Sequence, residues 1–405
     1  MELLISAGQL LLGPVGERVA DGAVLVRGSE IVAVGSAGDV AQLATVDTVR
    51  LDLPDATVLP GLIDGHVHLS FDSGPDPAAT LAELDDASLL LAMAARARQL
   101  LDSGVTTVRD LGDRRGIAIR LRDTIASGGL PGPRVLAATA PLTSPGGHCW
   151  FLGGEVSGVE GVRERVRSNA DAGADVIKVM ATGGHLTPGG PSMVDSQFSE
   201  EELRAIVDES HGLGLRVAAH AHGTEGIASA TAANVDTIEH CTWLGRAGFE
   251  MPEEVVADLV AKEIHVCAAI SRNWRGFAKR FGPEVAELLL NRVRLLEDHG
   301  VRLIAGTDAG IPGATFDDFV GGLHAFSHVG LPPDRIIELA TVATAEGLGL
   351  GDETGQLAAG RRADLLVVDG DPLRELDALR AVRLVLAGGR PHVPVSAAER
   401  LVGLA

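Results

Sequence analysis

Two hydrophobic rhythms alternate along the chain. From residue 1 to about 58 the apolar positions come in short, β-rich runs, "ELLISAGQLLL" and "GAVLVRGSEIVAVG", with "GSE" reading as a turn. The same style returns near the end in "ADLLVVDGDP" and "VRLVLAGGRPHV". Between these, continuous apolar runs alternate with helix-like stretches. Eight such runs can be counted: "TVLPGLIDGHVHLS", "GVTTVRDLG", "RVLAATAPL", "DVIKVMATG", "LRVAAHAHG", "DTIEHCTWL", "IHVCAAIS" and "VRLIAGTDAG". Runs that are apolar throughout suit parallel strands covered on both faces. In the intervening "SEEELRAIVDESHGLG", Ser199 and Glu202 have the spacing of a capping box. This order predicts an α/β protein with a (β/α)8 TIM barrel over residues 59–349, flanked by strand segments 1–58 and 350–405.

Polar residues interrupt the strands near their C-terminal ends, the face on which such barrels carry their chemistry. His66 and His68 end the first run, Lys178 lies in the fourth, and His220 and His222 end the fifth. His240 and Asp308 end the sixth and eighth. Residues two apart on a strand point to the same side, so His66 and His68 can face one ion. A single histidine of this kind reads as a satisfied core residue; this many, converging on one face, reads as a metal site.

Composition sets the surroundings. A net charge of −21 opposes a nucleic-acid partner. No run is long and apolar enough to span a bilayer, so no membrane partner is expected. The start, "MELLISAGQLLLG", carries Glu2 and no basic region, and three widely spaced cysteines make neither a disulfide framework nor a thiolate zinc site. A cytoplasmic protein is expected.

The chain has only three lysines, and one of them, Lys178, stands inside the apolar "VIKVM". Burial disfavours an ammonium. A lysine made neutral can add carbon dioxide and become a carbamate, a carboxylate on a long arm. Four histidines and one aspartate exceed one open zinc site and fall short of two, so such a group could bridge two cations. The alternative is a lysine paired with a buried carboxylate. Zinc or a similar divalent ion suits this ligand set.

Taken together, "GLIDGHVHL", "VIKVMATGG", "AHAHG", "IEH" and "GTDAG" resemble the amidohydrolase superfamily, in particular its branch of imidazolonepropionase-like enzymes, Xaa-Pro dipeptidases (prolidases) and metallo-carboxypeptidases. "GQLAAGRRADLLVVDGDP" resembles the same family's returning strand segment. The resemblance implies a composite β-sandwich built from the N- and C-terminal segments. It also implies two divalent ions: one held by His66, His68 and Asp308, the other by His220 and His240, with carboxylated Lys178 as the bridge. In "AHAH" the usual ligand is the first histidine, which makes His222 a substrate contact.

The expected chemistry is attack of a metal-activated hydroxide on an amide-type C–N bond, with Asp308 as proton carrier. His148, in "SPGGHCW", and His222 are candidate oxyanion donors; His185 would line the mouth. Arg272, with Arg275, could receive a substrate carboxylate, or could be ordinary loop arginines. His324 and His328 read as a solvated helix face, and Arg109 and Asp110 as wall residues. The expected substrate is a small molecule, a dipeptide or N-acyl amino acid. The alternatives are a cyclic amide, aryl carbamate or urea, and after those a mononuclear deaminase, which would present glutamate where His222 stands. The chain has no tyrosine, which some relatives use to hold substrate, so a carboxylate would fall to histidine or arginine. A homo-oligomer is expected.

Overall fold

The computed structural model describes residues 2–395. The chain opens with β1 (Glu2–Leu11), β2 (Arg18–Arg27), β3 (Glu30–Ser36) and β4 (Val49–Pro60). The middle carries β5 (Leu62–Val67), β6 (Val105–Asp110), β7 (Arg134–Ala137), β8 (Val176–Met180), β9 (Arg216–Gly223), β10 (Thr237–Gly245), the short β11 (Gly248–Phe249), β12 (His265–Cys267) and β13 (Arg302–Ile304). It closes with β14 (Leu365–Asp369), β15 (Val382–Ala387) and β16 (Arg390–His392). No helix among the described residues is long and apolar enough to cross a membrane.

The middle of the chain is α/β with parallel sheets. β5, β6 and β7 pair in parallel, as do β8, β9, β10, β12 and β13. A helix follows most of these strands; Asp86–Asp102, Ile117–Ala126, Val159–Asp171 and Glu200–Gly212 come after the first four. The last of these begins with the predicted capping box at Ser199 and Glu202. Hydrogen bonds also cross the two gaps between the sheets. Leu142 N donates to Lys178 O and Met180 N to Leu142 O, both at 2.8 Å. On the other side, Asp308 N donates to His66 O and His68 N to Ala309 O, both at 2.7 Å.

One buried carboxylate reinforces that second gap. Asp64 on β5 accepts from Thr307 N and Thr307 Oγ1, beyond β13, and from His66 N. Burial pushes its pKa up to about 7. The first predicted run therefore divides in two. "TVLP" finishes β4, Gly61 turns the chain, and "LIDGHV" begins the parallel set.

β4 belongs to a seven-stranded sheet of order β16-β15-β14-β4-β1-β2-β3, in which both terminal segments take part. The turn into β3 is also hydrogen-bonded to the segment that leads into β14: Ile31 N donates to Arg361 O, and Ala363 N to Ser29 O. Leu3, Ile5 and Val26 from the start of the chain consequently share one core with Leu365, Val367 and Leu384 from its end. Gly28, at φ 62, makes the predicted turn between β2 and β3.

Close packing between strands reaches the histidine ends. A Cβ on Gly306 would lie 2.5 Å from Cys267 Sγ and 3.0 Å from His66 N and Cβ. Gly306→Ala should cost about 1–3 kcal/mol through overpacking, read as a lower urea midpoint. Gly38→Ala, where a new Cβ meets nothing within 4 Å, should leave the midpoint unchanged or raised.

Candidate metal centre

The strand ends deliver two groups of potential ligands. In the first, His66 Nε2 lies 3.3 Å from His68 Nε2 and 3.4 Å from Asp308 Oδ1, and His68 Nε2 lies 3.3 Å from the same oxygen. A tetrahedral ion with bonds of about 2.0–2.1 Å sets its ligand atoms roughly 3.3–3.4 Å apart. The tautomer fits as well. His66 Nδ1 is 2.8 Å from Glu239 Oε2, so that nitrogen carries the hydrogen and Nε2 offers its lone pair to the cluster. Burial keeps His66 neutral, at about 4. Burial alone would raise the Asp308 carboxyl, but His66 and His68 hold it ionised, at about 2.

The second group is His220, His222 and His240, whose ring nitrogens lie within 4.8 Å of one another. Ring centroids are 4.5–4.6 Å apart. Burial foremost holds all three well below the usual imidazole range, followed by neighbouring histidines: His222 for His220, His148 for His222, and His222 with His220 for His240. Neutral imidazoles are the form a metal binds. His222, expected to be a substrate contact, thus stands as near to the other two as a ligand would. Its Nδ1 is 3.0 Å from Thr242 Oγ1.

Lys178 is fully buried, and its Nζ has no hydrogen-bond partner among the described residues. Of the buried carboxylates, Glu239 and Asp308 favour its charge through space, without a hydrogen bond to it. Burial foremost lowers the amine to about 8. Its charge would act on both groups, depressing His66 on one side and His220 and His240 on the other. Two convergent donor sets with neutral rings fit divalent metal.

The backbone is strained where these ligands sit. His240 (φ 68), Cys241 (φ 48), Trp243 (φ 55) and Asp308 (φ 59) all lie in the left-handed region, which non-glycine residues avoid at a cost of order 1–3 kcal/mol each. Such outliers concentrate at functional sites.

His68, Lys178, His220, His222, His240 and Asp308 line a cavity of about 700 Å3, with His148 and His185 also in its wall. His148 is buried, with its ring centroid 4.7 Å from that of His220, and burial foremost lowers it to about 3. Arg272 requires a correction. It is half exposed, ion-paired 3.4 Å from Asp318, and absent from the cavity wall. Arg275 stacks 4.3 Å over the Trp274 ring instead. His324 and His328 pair with Asp377 and Glu287 on the outer surface.

Sequence reasoning missed the layer beneath. Arg109 donates to Gly65 O, Thr237 Oγ1 and Glu239 Oε1, at 2.8, 3.0 and 2.7 Å. Burial would raise Glu239, but Arg109 and then His66 hold it well below the usual carboxylate range. Cys267 stands near Glu239 and His66, but burial pushes its thiol up and Glu239 already engages His66 Nδ1. The signal for Glu239 was an acid inside an apolar run. Asp110 likewise serves the backbone, accepting from Leu69 N and Gly112 N.

The profile of the amidohydrolase family matches residues 57–392. An ochratoxinase from Aspergillus niger is 29% identical, over 96% of this chain and 86% of its own. An imidazolonepropionase from Symbiobacterium thermophilum is 27% identical, over 90% of each. Among solved structures, a Xaa-Pro dipeptidase with methionine bound in its active site superposes with a TM-score of 0.85 at 29% identity, covering 97% of this chain and 100% of that one.

Removing Arg109 tests the layer under the ligands. Arg109→Met leaves Glu239 buried and ionised without its cation, and should cost about 3–5 kcal/mol in urea unfolding. Adding Glu239→Gln should restore part of the loss. A single variant as stable as the parent would show that the pair does not hold this interior.

Proposed function

The chain belongs to the amidohydrolase family and is a hydrolase acting on C–N bonds; from that premise we propose a binuclear enzyme that cleaves the amide of a dipeptide or N-acyl amino acid. The observation that carries the reading is Lys178, a buried amine without a hydrogen-bond partner among the described residues, whose charge acts on both ligand groups. His66, His68 and Asp308 would hold one ion, and His220 and His240 the second, with His222 beside them. Lys178 would join them as a carbamate, formed when its neutral amine takes up carbon dioxide and releases a proton. Divalent ions bound there, zinc in this reading, would supply an activated water and a polarised carbonyl near neutral pH.

The protein's own groups do the rest. Asp308 accepts the proton of the attacking water and returns it to the departing nitrogen, so that a C–O bond forms as the C–N bond breaks. His148, on the cavity wall, donates to the developing oxyanion. The methionine held by the Xaa-Pro dipeptidase supports a product of amino-acid type. We read the two parallel sheets as one closed (β/α)8 barrel over residues 59–349, and the curled terminal sheet as the composite sandwich of segments 1–58 and 350–405. The hydrogen bonds across both gaps support the first statement, and the shared terminal core supports the second.

The metal assignment has a direct check. Purified protein should carry close to two divalent ions per chain by elemental analysis, and Lys178→Ala at most one, with most activity lost. Added formate or acetate should restore part of the turnover by filling the vacated carboxylate position. Two ions and parental rates in Lys178→Ala without added acid would end the carbamate account.

Asp308→Asn keeps the size and removes the proton acceptor. Turnover should fall by about 100-fold or more, in the range of general acid–base groups, as measured by steady-state hydrolysis of N-acetyl amino acids. A rate within a few-fold of the parent would assign the proton to another group.

A further inference from the structure

Arg292 lines the same cavity from the helix Pro283–Asp298, and it is almost fully buried. Two of its nitrogens hold strand ends. Nε and Nη2 donate to His240 O at 3.3 and 3.1 Å, and Nη2 also donates to Ala268 O at 3.0 Å. Nη1 has no partner among the described residues, and no carboxylate there offsets its charge. A guanidinium keeps its charge at neutral pH. A buried cation without a counter-charge is costly, and an arriving anion relieves that cost.

The rest of the wall narrows the ligand. Met180, Leu186, Met193, Leu244, Phe277 and Leu289 give it an apolar surface. Its only acids among the described residues are Asp308, in the first ligand group, and Asp76. Nη1 is the one guanidinium nitrogen left to donate, and a charge-assisted hydrogen bond from it suits a carboxylate oxygen. Because Arg292 grips the carbonyl of His240, an anion held there lies beside the second ligand group, within one small substrate's reach of the reacting bond.

We propose that Arg292 receives the free carboxylate of the substrate, and that the enzyme prefers N-acylated amino acids with apolar side chains. This rests on the amide-hydrolase reading above. Arg292 takes the place that sequence reasoning gave to Arg272, whose own partner is Asp318 on the outside.

Two measurements on the metal-loaded enzyme test the proposal and separate it from that reading. The first titrates 4-methylpentanoate and 4-methylpentan-1-ol, which carry no bond to cleave, into the parent, Arg292→Gln and Arg292→Lys by calorimetry. The carboxylate should bind about 10- to 100-fold more weakly to Arg292→Gln, in the range of charge-assisted hydrogen bonds, while the alcohol changes little. Arg292→Lys, which keeps the charge but cannot hold both strand-end carbonyls and the ligand at once, should lie between and serves if the glutamine variant does not fold. Equal carboxylate binding by the parent and a folded variant would overturn the proposal, because the ions alone would then be holding the acid.

The second compares N-acetyl-L-methionine with N-acetyl-L-methioninamide. The parent should show a KM at least 10-fold lower for the acid, and Arg292→Gln should lose that preference. Equal KM values in the parent would overturn the carboxylate role even if both amides are cleaved. Absence of any amide turnover, with the binding difference intact, would remove the amide reading and keep Arg292 as an anion receptor.

Discussion

An ionised carboxylate in a dry interior must be answered by a cation, and much of this site follows from how Glu239 is answered. Arg109 reaches it across the space between β6 and β10. Glu239 can then remain an acceptor and fix the hydrogen of His66 on Nδ1. That choice turns the other ring nitrogen toward His68 and Asp308. A protonated Glu239 would compete for the same ring position, and the tautomer would no longer be decided. The charge beneath the ligands thus sets the direction in which the ligands offer their electrons.

The interior is divided by whether its polar groups are satisfied. Below the ligand layer, Arg109, Glu239, Thr237, Asp64 and Thr307 satisfy one another at ordinary hydrogen-bond distances. At and above it, His68 Nδ1, Lys178 Nζ and Arg292 Nη1 are left without partners among the described residues. Folding alone gives no reason to leave two buried basic side chains with donors unpaired, since an apolar side chain of similar size would cost less. Their retention is what the proposed function would require, as donors kept for metal and substrate. The left-handed backbone at His240 and Asp308 points the same way, because strain is kept where geometry is needed.

Much of this was legible in the chain. Parallel strands buried on both faces are written as apolar runs, so a polar residue inside one is conspicuous, and His66, His68, Lys178, His220, His240 and Asp308 stood out for that reason. Glu239 was equally conspicuous in "DTIEHCTWL", but its meaning depends on Arg109, 130 positions away, and spacing along the chain carries no information about that approach. The division of the first run at Gly61 was hidden because both halves are apolar, one packing in the terminal sheet and one in the parallel set. Arg272 misled because an arginine after a strand end resembles a substrate contact, and only the position of Asp318 decides otherwise.

Arg292 could have been found, and the reason it was passed over bears on how such sites diversify. In "PEVAELLLNRVRLLED" it falls on the buried face with Leu289, Val293 and Leu296, whereas Arg294 two positions on pairs outward with Asp298. A cation on the apolar stripe of an amphipathic helix is the helical equivalent of Lys178 in its strand. Helices are usually read for their caps and stripes, and strands for their chemistry, so the one drew attention and the other did not. The division has a physical basis. Strand ends are held on both sides by ladder hydrogen bonds and can keep ligand atoms to within tenths of an ångström. Helices and loops over the mouth are held by side-chain packing, which tolerates exchange. A centre fixed by strands and a wall supplied by Leu186, Met193, Phe277, Leu289 and Arg292 can keep one hydrolytic chemistry while the wall alone decides which amide reaches it.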